Sequence, residues 1–324
     1  MNLKSIAINT LALLALTMQP QVGYSQVYPE RAVKVIQGFA PGGNADNIAR
    51  SVGLEMAKEL NQSFVVEAMT GAGGTIASGA VARSKADGYT LLLATGGHAV
   101  AGALFETLPY KTVADFEMVS TITFFPFLIV TNASSKFDTL NALLSVAKTS
   151  KDGVTYGTAG IGSTHHLAGE LLAKTAKANL LHIPFRGDAA SITALLANEV
   201  DFIVVSPTAV MPNIKAGKLR ALATTGVQRW IGMPELPTVA EQGVAGYEVR
   251  SWAGFMAPAG TPKQVISTLN KEVNKALQVP SVRKRLEEMG GEAKGSTPDE
   301  MRLMVSSELK KWTQVVTDSK IPKL

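Results

Sequence analysis

Short apolar runs and longer stretches of helical period alternate along most of this chain. Runs rich in Val, Ile, Leu and Thr predict strands over residues 33–37, 64–67, 90–94, 128–131, 154–157, 181–183, 201–205 and 219–224. Between them, apolar positions three and four apart predict helices over 46–60, 74–83, 140–148, 165–174, 189–197 and 208–215. Beyond Gly226 the pattern changes. Met233-Pro234-Glu235-Leu236-Pro237 leads into three helical stretches, 262–277, 281–289 and 298–320, each with a proline at its start.

Strand and helix in alternation argue for an α/β fold with parallel sheets covered on both faces. The chain is long enough to form two lobes. A change of lobe is expected near 125–127 and a return near 223–226, giving two crossover segments. Residues 26–125 and 226–324 then build lobe 1, and 126–225 build lobe 2. Such a layout places a cleft between the lobes, where ligands commonly bind. There is no internal repeat and no low-complexity tract.

Glycine-rich turns sit where predicted strands pass into predicted helices. The first is Phe39-Ala40-Pro41-Gly42-Gly43-Asn44-Ala45-Asp46; others are Gly71-Ala72-Gly73-Gly74-Thr75, Thr95-Gly96-Gly97-His98 and Gly160-Ile161-Gly162-Ser163-Thr164. A strand that turns through glycines into a helix leaves backbone N–H groups and the positive end of the helix dipole facing a cleft, which favours an anion. The alternative is a tight turn capped by Asn44 or Asp46. The first turn has neither the P-loop form nor the three-glycine spacing of a dinucleotide loop. Ser163 and Thr164 can cap a helix or donate hydroxyls to a ligand.

A hydrophobic fraction of 46% against 18% charged residues describes a folded globular chain. The net charge is +5, or +4 without Lys4, and its basic clusters lie among acidic residues on C-terminal helices. That pattern reads as solvated helix faces, so no nucleic-acid partner is expected. The apolar stretch 6–18 behind Lys4, with Gly23 and Ser25 before a cleavage after Ser25, predicts a signal peptide over residues 1–25 and export to a periplasm. The absence of cysteine excludes disulfides and a lipidated-cysteine anchor.

The remaining chemistry is sparse. His98, His165, His166 and His182 match no metal motif, so neither metal nor cofactor is expected. Gly-x-Ser-x-Gly is absent, and Ser145 and Lys148 fall on an ordinary amphipathic helix. Arg186 and Asp188 follow a strand and open a helix. Asp188 either caps that helix with Arg186 paired to it, or meets a cationic or hydrogen-donating part of a ligand. No nucleophile–base pair is visible, so a binding protein is expected rather than an enzyme. An exported hydrolase or transferase, or a sensor for a membrane kinase, are the alternatives.

Taken together, these loops resemble the solute-binding receptors of tripartite tricarboxylate transporters, the Bug family. The resemblance runs through Pro41-Gly42-Gly43 with Asp46, Gly71-Ala72-Gly73-Gly74, Ala86-Asp87-Gly88-Tyr89-Thr90-Leu91, His166-Leu167-Ala168-Gly169-Glu170, His182-Ile183-Pro184 and Ala257-Pro258-Ala259-Gly260-Thr261-Pro262. It implies a type II-like, two-lobe periplasmic binding protein that closes on a small carboxylate and delivers it, as a monomer, to membrane permease subunits. By position it assigns ligand binding to Ala40, Gly42, Gly43 and Asp46, with Gly73, Gly97 and His98 nearby. Ser163, Thr164, Asp188 and Ser206 read the ligand from the other lobe. The chain departs from the family pattern at Ala68-Met69-Thr70, at Ile161, at Ala101-Gly102 and at Asp188. These departures make the pocket less polar, with one added acid. The expected ligand is therefore a carboxylate with an apolar or aromatic body, in one variant with an amino or ring nitrogen near Asp188.

Overall fold

The computed structural model describes residues 28–318 and 320–324; the leader predicted over 1–25 lies outside them. The chain opens with β1 (Val33–Gln37), α1 (Asn44–Leu60), β2 (Phe64–Ala68), a 3-10 turn at Ala72–Gly74, α2 (Thr75–Ala82), β3 (Thr90–Thr95), α3 (Gly96–Leu104) and β4 (Phe116–Pro126). It then forms β5 (Leu128–Asn132), α4 (Leu140–Thr149), β6 (Val154–Thr158), α5 (Thr164–Ala176), β7 (Leu180–Pro184), α6 (Asp188–Leu196), β8 (Phe202–Val205), α7 (Pro207–Lys215) and β9 (Leu219–Thr224). It ends with β10 (Arg250–Pro258), α8 (Lys263–Ala276), α9 (Pro280–Glu288), β11 (Glu292–Ala293) and α10 (Pro298–Asp318).

These strands form two sheets, one per lobe, in the orders β11-β4-β10-β3-β1-β2 and β7-β6-β8-β5-β9. In the first sheet β1 lies between β2 and β3, parallel to both. With helices on both faces it buries all but Lys34 of its five residues, which is why its sequence is apolar rather than alternating. In the second sheet β6 is parallel to β7 and β8. Helix α8 shows the complementary pattern: Ile266, Leu269, Val273 and Ala276 face the core at spacings of three and four.

Two central strands, β4 and β10, were not among the sequence-predicted elements. They pair antiparallel along most of their lengths, and β10 also pairs with β3. Their expected signal is weak because β10 is buried at every position after Arg250, so it carries no alternation. The Thr95–His98 turn is likewise a helix start. Gly96 and Gly97 have poor helix propensity, but a Cβ on Gly96 would lie 2.8 Å from Ser251 Oγ and 3.0 Å from Thr164 Oγ1, so packing demands the glycine.

The first crossing is at Phe127, between the end of β4 and the start of β5. The second differs from the boundary expected at 226. After β9, Trp230 and Leu236 join the apolar cluster of Leu128, Val130, Ile192 and Val205 on the second sheet. The connector thus packs with lobe 2, and the return is complete only at β10. Thr225 ties the crossing segments together. Phe127 N donates to its Oγ1 at 2.8 Å, its Oγ1 donates to Val249 O at 2.7 Å, and Val249 N donates to Thr225 O at 2.9 Å.

Candidate functional site

The glycine turns follow the C-terminal ends of parallel strands in both sheets, the usual ligand-facing edge of α/β folds. The two edges meet. A Cβ placed on Gly73, between β2 and α2, would lie 3.2 Å from the carbonyl oxygen of Gly162, between β6 and α5. Gly73 also has φ +64, a left-handed conformation that favours glycine. Gly97, in the first turn of α3, packs on the same loop, with its would-be Cβ 3.3 Å from Gly73 O.

The first loop is more self-contained than expected. Gly42 N donates to Asp46 Oδ2 at 3.1 Å, and Gly43 N donates to the Ala40 carbonyl at 3.2 Å. These two amides, expected to face a ligand, are occupied by the protein itself. Asp46 is buried and accepts from Arg50 Nε at 2.8 Å and Nη2 at 3.1 Å. Burial opposes its ionisation, but the Arg50 and Gly42 hydrogen bonds outweigh that and hold its carboxyl below the ordinary range. Asp46 therefore braces the loop. Gly43 is the N-cap of α1 and no side chain caps that helix, which leaves the Asn44, Ala45 and Asp46 amides as its open donors. Both polar atoms of the Asn44 side chain are enclosed without a partner. Asn44 was read only as a cap; its place directly after the glycine pair was the available signal.

In the second lobe Ser163 takes the capping role. Its hydroxyl accepts from His166 N at 3.2 Å and donates to Gly160 O at 2.6 Å. Thr164 is buried in the first turn of α5 beside Gly96. His165, not among the expected site residues, lies at the centre of this wall. Its Nε2 is 3.3 Å from Ser206 Oγ and 3.4 Å from Asp188 Oδ1, and its ring packs 4.2 Å from the ring of Phe127 at the crossing. Burial lowers its pKa, against the pull of Asp188. Asp188 is the first residue of α6, behind Gly187, and it neither caps that helix nor pairs with Arg186; its ionic neighbour is His165.

His98 is buried and lines a small cavity with Phe39, Gly73 and Thr95. Its Nδ1 meets Ser78 Oγ at 3.0 Å and its Nε2 meets Thr112 O at 2.8 Å, with Tyr110 stacked on the ring. Burial pushes its pKa down to about 4. Both ring nitrogens being engaged, its side chain is a structural element of lobe 1. His182 supports the glycine turn of lobe 2 from behind. Its Nε2 lies 2.6 Å from Thr158 Oγ1, which accepts from Gly160 N at 3.2 Å. Among the described residues there is no group of three or more His, Asp or Glu placed to hold a metal ion, and no helix long and apolar enough to cross a membrane.

Comparison with known proteins agrees with this architecture. A family model described as tripartite tricarboxylate transporter family receptor matches residues 48–321. The chain is 35% identical to protein BugT of Bordetella pertussis over 297 residues, covering 91% of each. It is 34% identical to a protein in the tcbD-tcbE intergenic region of Pseudomonas sp. strain P51, covering 96% of this chain and 93% of that one. Among solved structures it is similar to R. palustris Rpa4515 with adipate, at TM-score 0.86 and 33% identity over 92% of this chain and 100% of that one. It is also similar to MatC from Rhodopseudomonas palustris with bound malate, at TM-score 0.82 and 33% identity over 89% of this chain and 100% of that one. The chain belongs to the tripartite tricarboxylate transporter receptor family, whose members are periplasmic solute-binding receptors rather than enzymes.

Proposed function

We propose that this chain is an exported, monomeric receptor that captures a small carboxylate between its lobes and hands it to the permease subunits of a tripartite transporter. The observation that carries this reading is the convergence of helix starts on one crevice. Helices α1 and α3 begin at this edge with no side chain capping their first turn, and α6 begins there uncapped with Asp188 as its first residue. Free first-turn amides and aligned dipoles favour an anion. Closure of the lobes would exclude water and strengthen those bonds. That related structures hold adipate and malate supports a carboxylate as the ligand class.

The reading divides the work between the lobes. The open amides of Asn44, Ala45 and Asp46, with the loops of Gly73 and Gly97, hold the carboxylate from lobe 1. Thr164, His165, Asp188 and Ser206 face the body of the ligand from lobe 2, while Ser163 caps α5. The exposed Ile161 offers that body an apolar contact from lobe 2, and Phe39 lines a small cavity in lobe 1. A thermal-shift and calorimetric screen of linear, hydroxylated, amino and aromatic carboxylates tests this. A ligand at a hundredfold excess over its Kd should stabilise the fold by about 2.7 kcal/mol. No response to any carboxylate would overturn the receptor reading. Citrate as the best hit, with no response to aromatic or amino-bearing acids, would overturn the apolar body. Conversion of a bound compound, followed by mass spectrometry, would favour the hydrolase alternative.

A further inference from the structure

The second-lobe wall carries an acid without a cation. Asp188 is 20% exposed at its side chain, and its Oδ1 is enclosed with no hydrogen-bond partner. Among the described residues no lysine or arginine forms an ion pair with it. Arg186, two residues earlier, is exposed and makes no ion pair among the described residues. Its one ionic neighbour, His165, is kept toward the neutral form by burial. The His165 Nδ1 is enclosed and unpartnered as well. The α6 dipole favours a negative charge at Asp188, but a half-desolvated carboxylate still lacks a full positive partner.

From this we infer that the receptor's ligand carries an ammonium group opposite its carboxylate, and that Asp188 is the residue selecting it over a second carboxylate. The inference rests on the receptor reading above and deepens it. A dicarboxylate gripped at the lobe 1 amides would press its far carboxylate toward Asp188, two like charges in a partly dry crevice. An amino-carboxylate would satisfy both ends, anion to amides and cation to acid. The ligand then bridges the lobes. His165 is the positioning residue: it flanks Asp188, Ser206 and Phe127, so the acid is held beside the crossing where closure would bend the chain.

The test is calorimetry on the purified receptor with pairs matched in carbon number. The pairs are 4-aminobutyrate with succinate, 6-aminohexanoate with adipate, and 4-(aminomethyl)benzoate with terephthalate; the corresponding hydroxy acids form a third arm. At least one amine should bind about tenfold or more tightly than its matched diacid. Asp188→Asn should erase that ratio by weakening the amine and strengthening the diacid, with Asp188→Ser as a second variant should the first fold poorly. If in every pair the diacid equals or exceeds its amine in the native protein, the inference is overturned and the receptor reading stands. A hydroxy acid that binds as well as the amine overturns the ammonium assignment. A preference for the amine that survives both substitutions overturns the role of Asp188. Failure of every carboxylate to bind overturns the receptor reading and this inference with it.

Discussion

Gly73→Val tests whether the lobes close on each other at the loops. Gly73 has φ +64 and ψ 17, so any side chain there incurs about 1–2 kcal/mol of backbone strain. That cost is present whether the lobes are open or closed. The second cost is specific to closure. A Cβ would lie 3.2 Å from Gly162 O, 3.4 Å from Gly162 C and 3.7 Å from Ile161 O, all across the cleft. The valine methyls extend the clash, and overpacking of this kind costs about 1–3 kcal/mol. On the proposed reading the lobes separate when empty, so the closed form alone bears this cost and affinity should fall by roughly 5- to 150-fold. Alanine at the same site needs a shift of only a few tenths of an ångström and should fall between glycine and valine. Gly217→Val is the control: φ is +68, and nothing lies within 4 Å of its would-be Cβ. Both valine variants should lose a few degrees of Tm, and only Gly73→Val should weaken binding in calorimetry. Equal Kd values for the two variants, within about twofold, would refute closure at this contact.

Three further outcomes follow from the packing. Asp46→Asn removes the charge shared by Gly42 and Arg50 and should cost about 1–3 kcal/mol at neutral pH. Because the folded Asp46 carboxyl titrates below its unfolded value near 3.9, its contribution is complete above that pH and vanishes as pH falls through the folded value, so the variant's Tm should decline less below about pH 4. His98 acts in the same direction over a higher window: neutral in the fold down to about pH 4, it protonates near 6.5 when unfolded, so stability should fall as pH drops from about 6.5 toward 4, and His98→Gln should flatten Tm across that window. Tyr247→Phe deletes the hydrogen bond from Tyr247 OH to Ala168 O at 3.0 Å and should lower stability by about 1 kcal/mol in denaturant titration.

How much of this was legible depends on burial. Strands such as β1 and β3 stood out because an apolar run is bounded by glycine turns at one end. Strand β10 did not, since Ser251-Trp252-Ala253-Gly254 buries polar and small residues beside a tryptophan for want of space between β3 and β4. The glycine at 254 leaves a would-be Cβ 2.7 Å from Ser120 O, a constraint invisible without the neighbouring strand. Leu236 looked like part of a linker because prolines flank it, and only the second sheet's apolar face shows why it and Trp230 are kept. For the site, the loops were readable from their glycines, but the partner of each amide was not. Spacing placed Asp46 four residues after Gly42; it could not say whether the acid points at the loop or away. His165 was weighed only as a metal ligand, and its contacts with Ser206, Asp188 and Phe127 join residues far apart in sequence.

The internal use of the Gly42 and Gly43 amides changes what the first loop does. A loop whose donors are all free would be floppy, and ordering it on binding would consume part of the affinity. Here Asp46 clamps Gly42, Arg50 clamps Asp46, and Gly43 closes onto Ala40, so the turn is rigid before any ligand arrives. What remains open is the set that such a turn holds in place: the amides of Asn44, Ala45 and Asp46 at the uncapped start of α1. The acid that occupies one donor thereby aims three others. A buried carboxylate next to the proposed anion site is tolerable because Arg50 pairs with it at 2.8 Å. Among the described residues Asp188 has no such partner, and on the proposed reading that asymmetry gives the crevice one end suited to an anion and one suited to a cation.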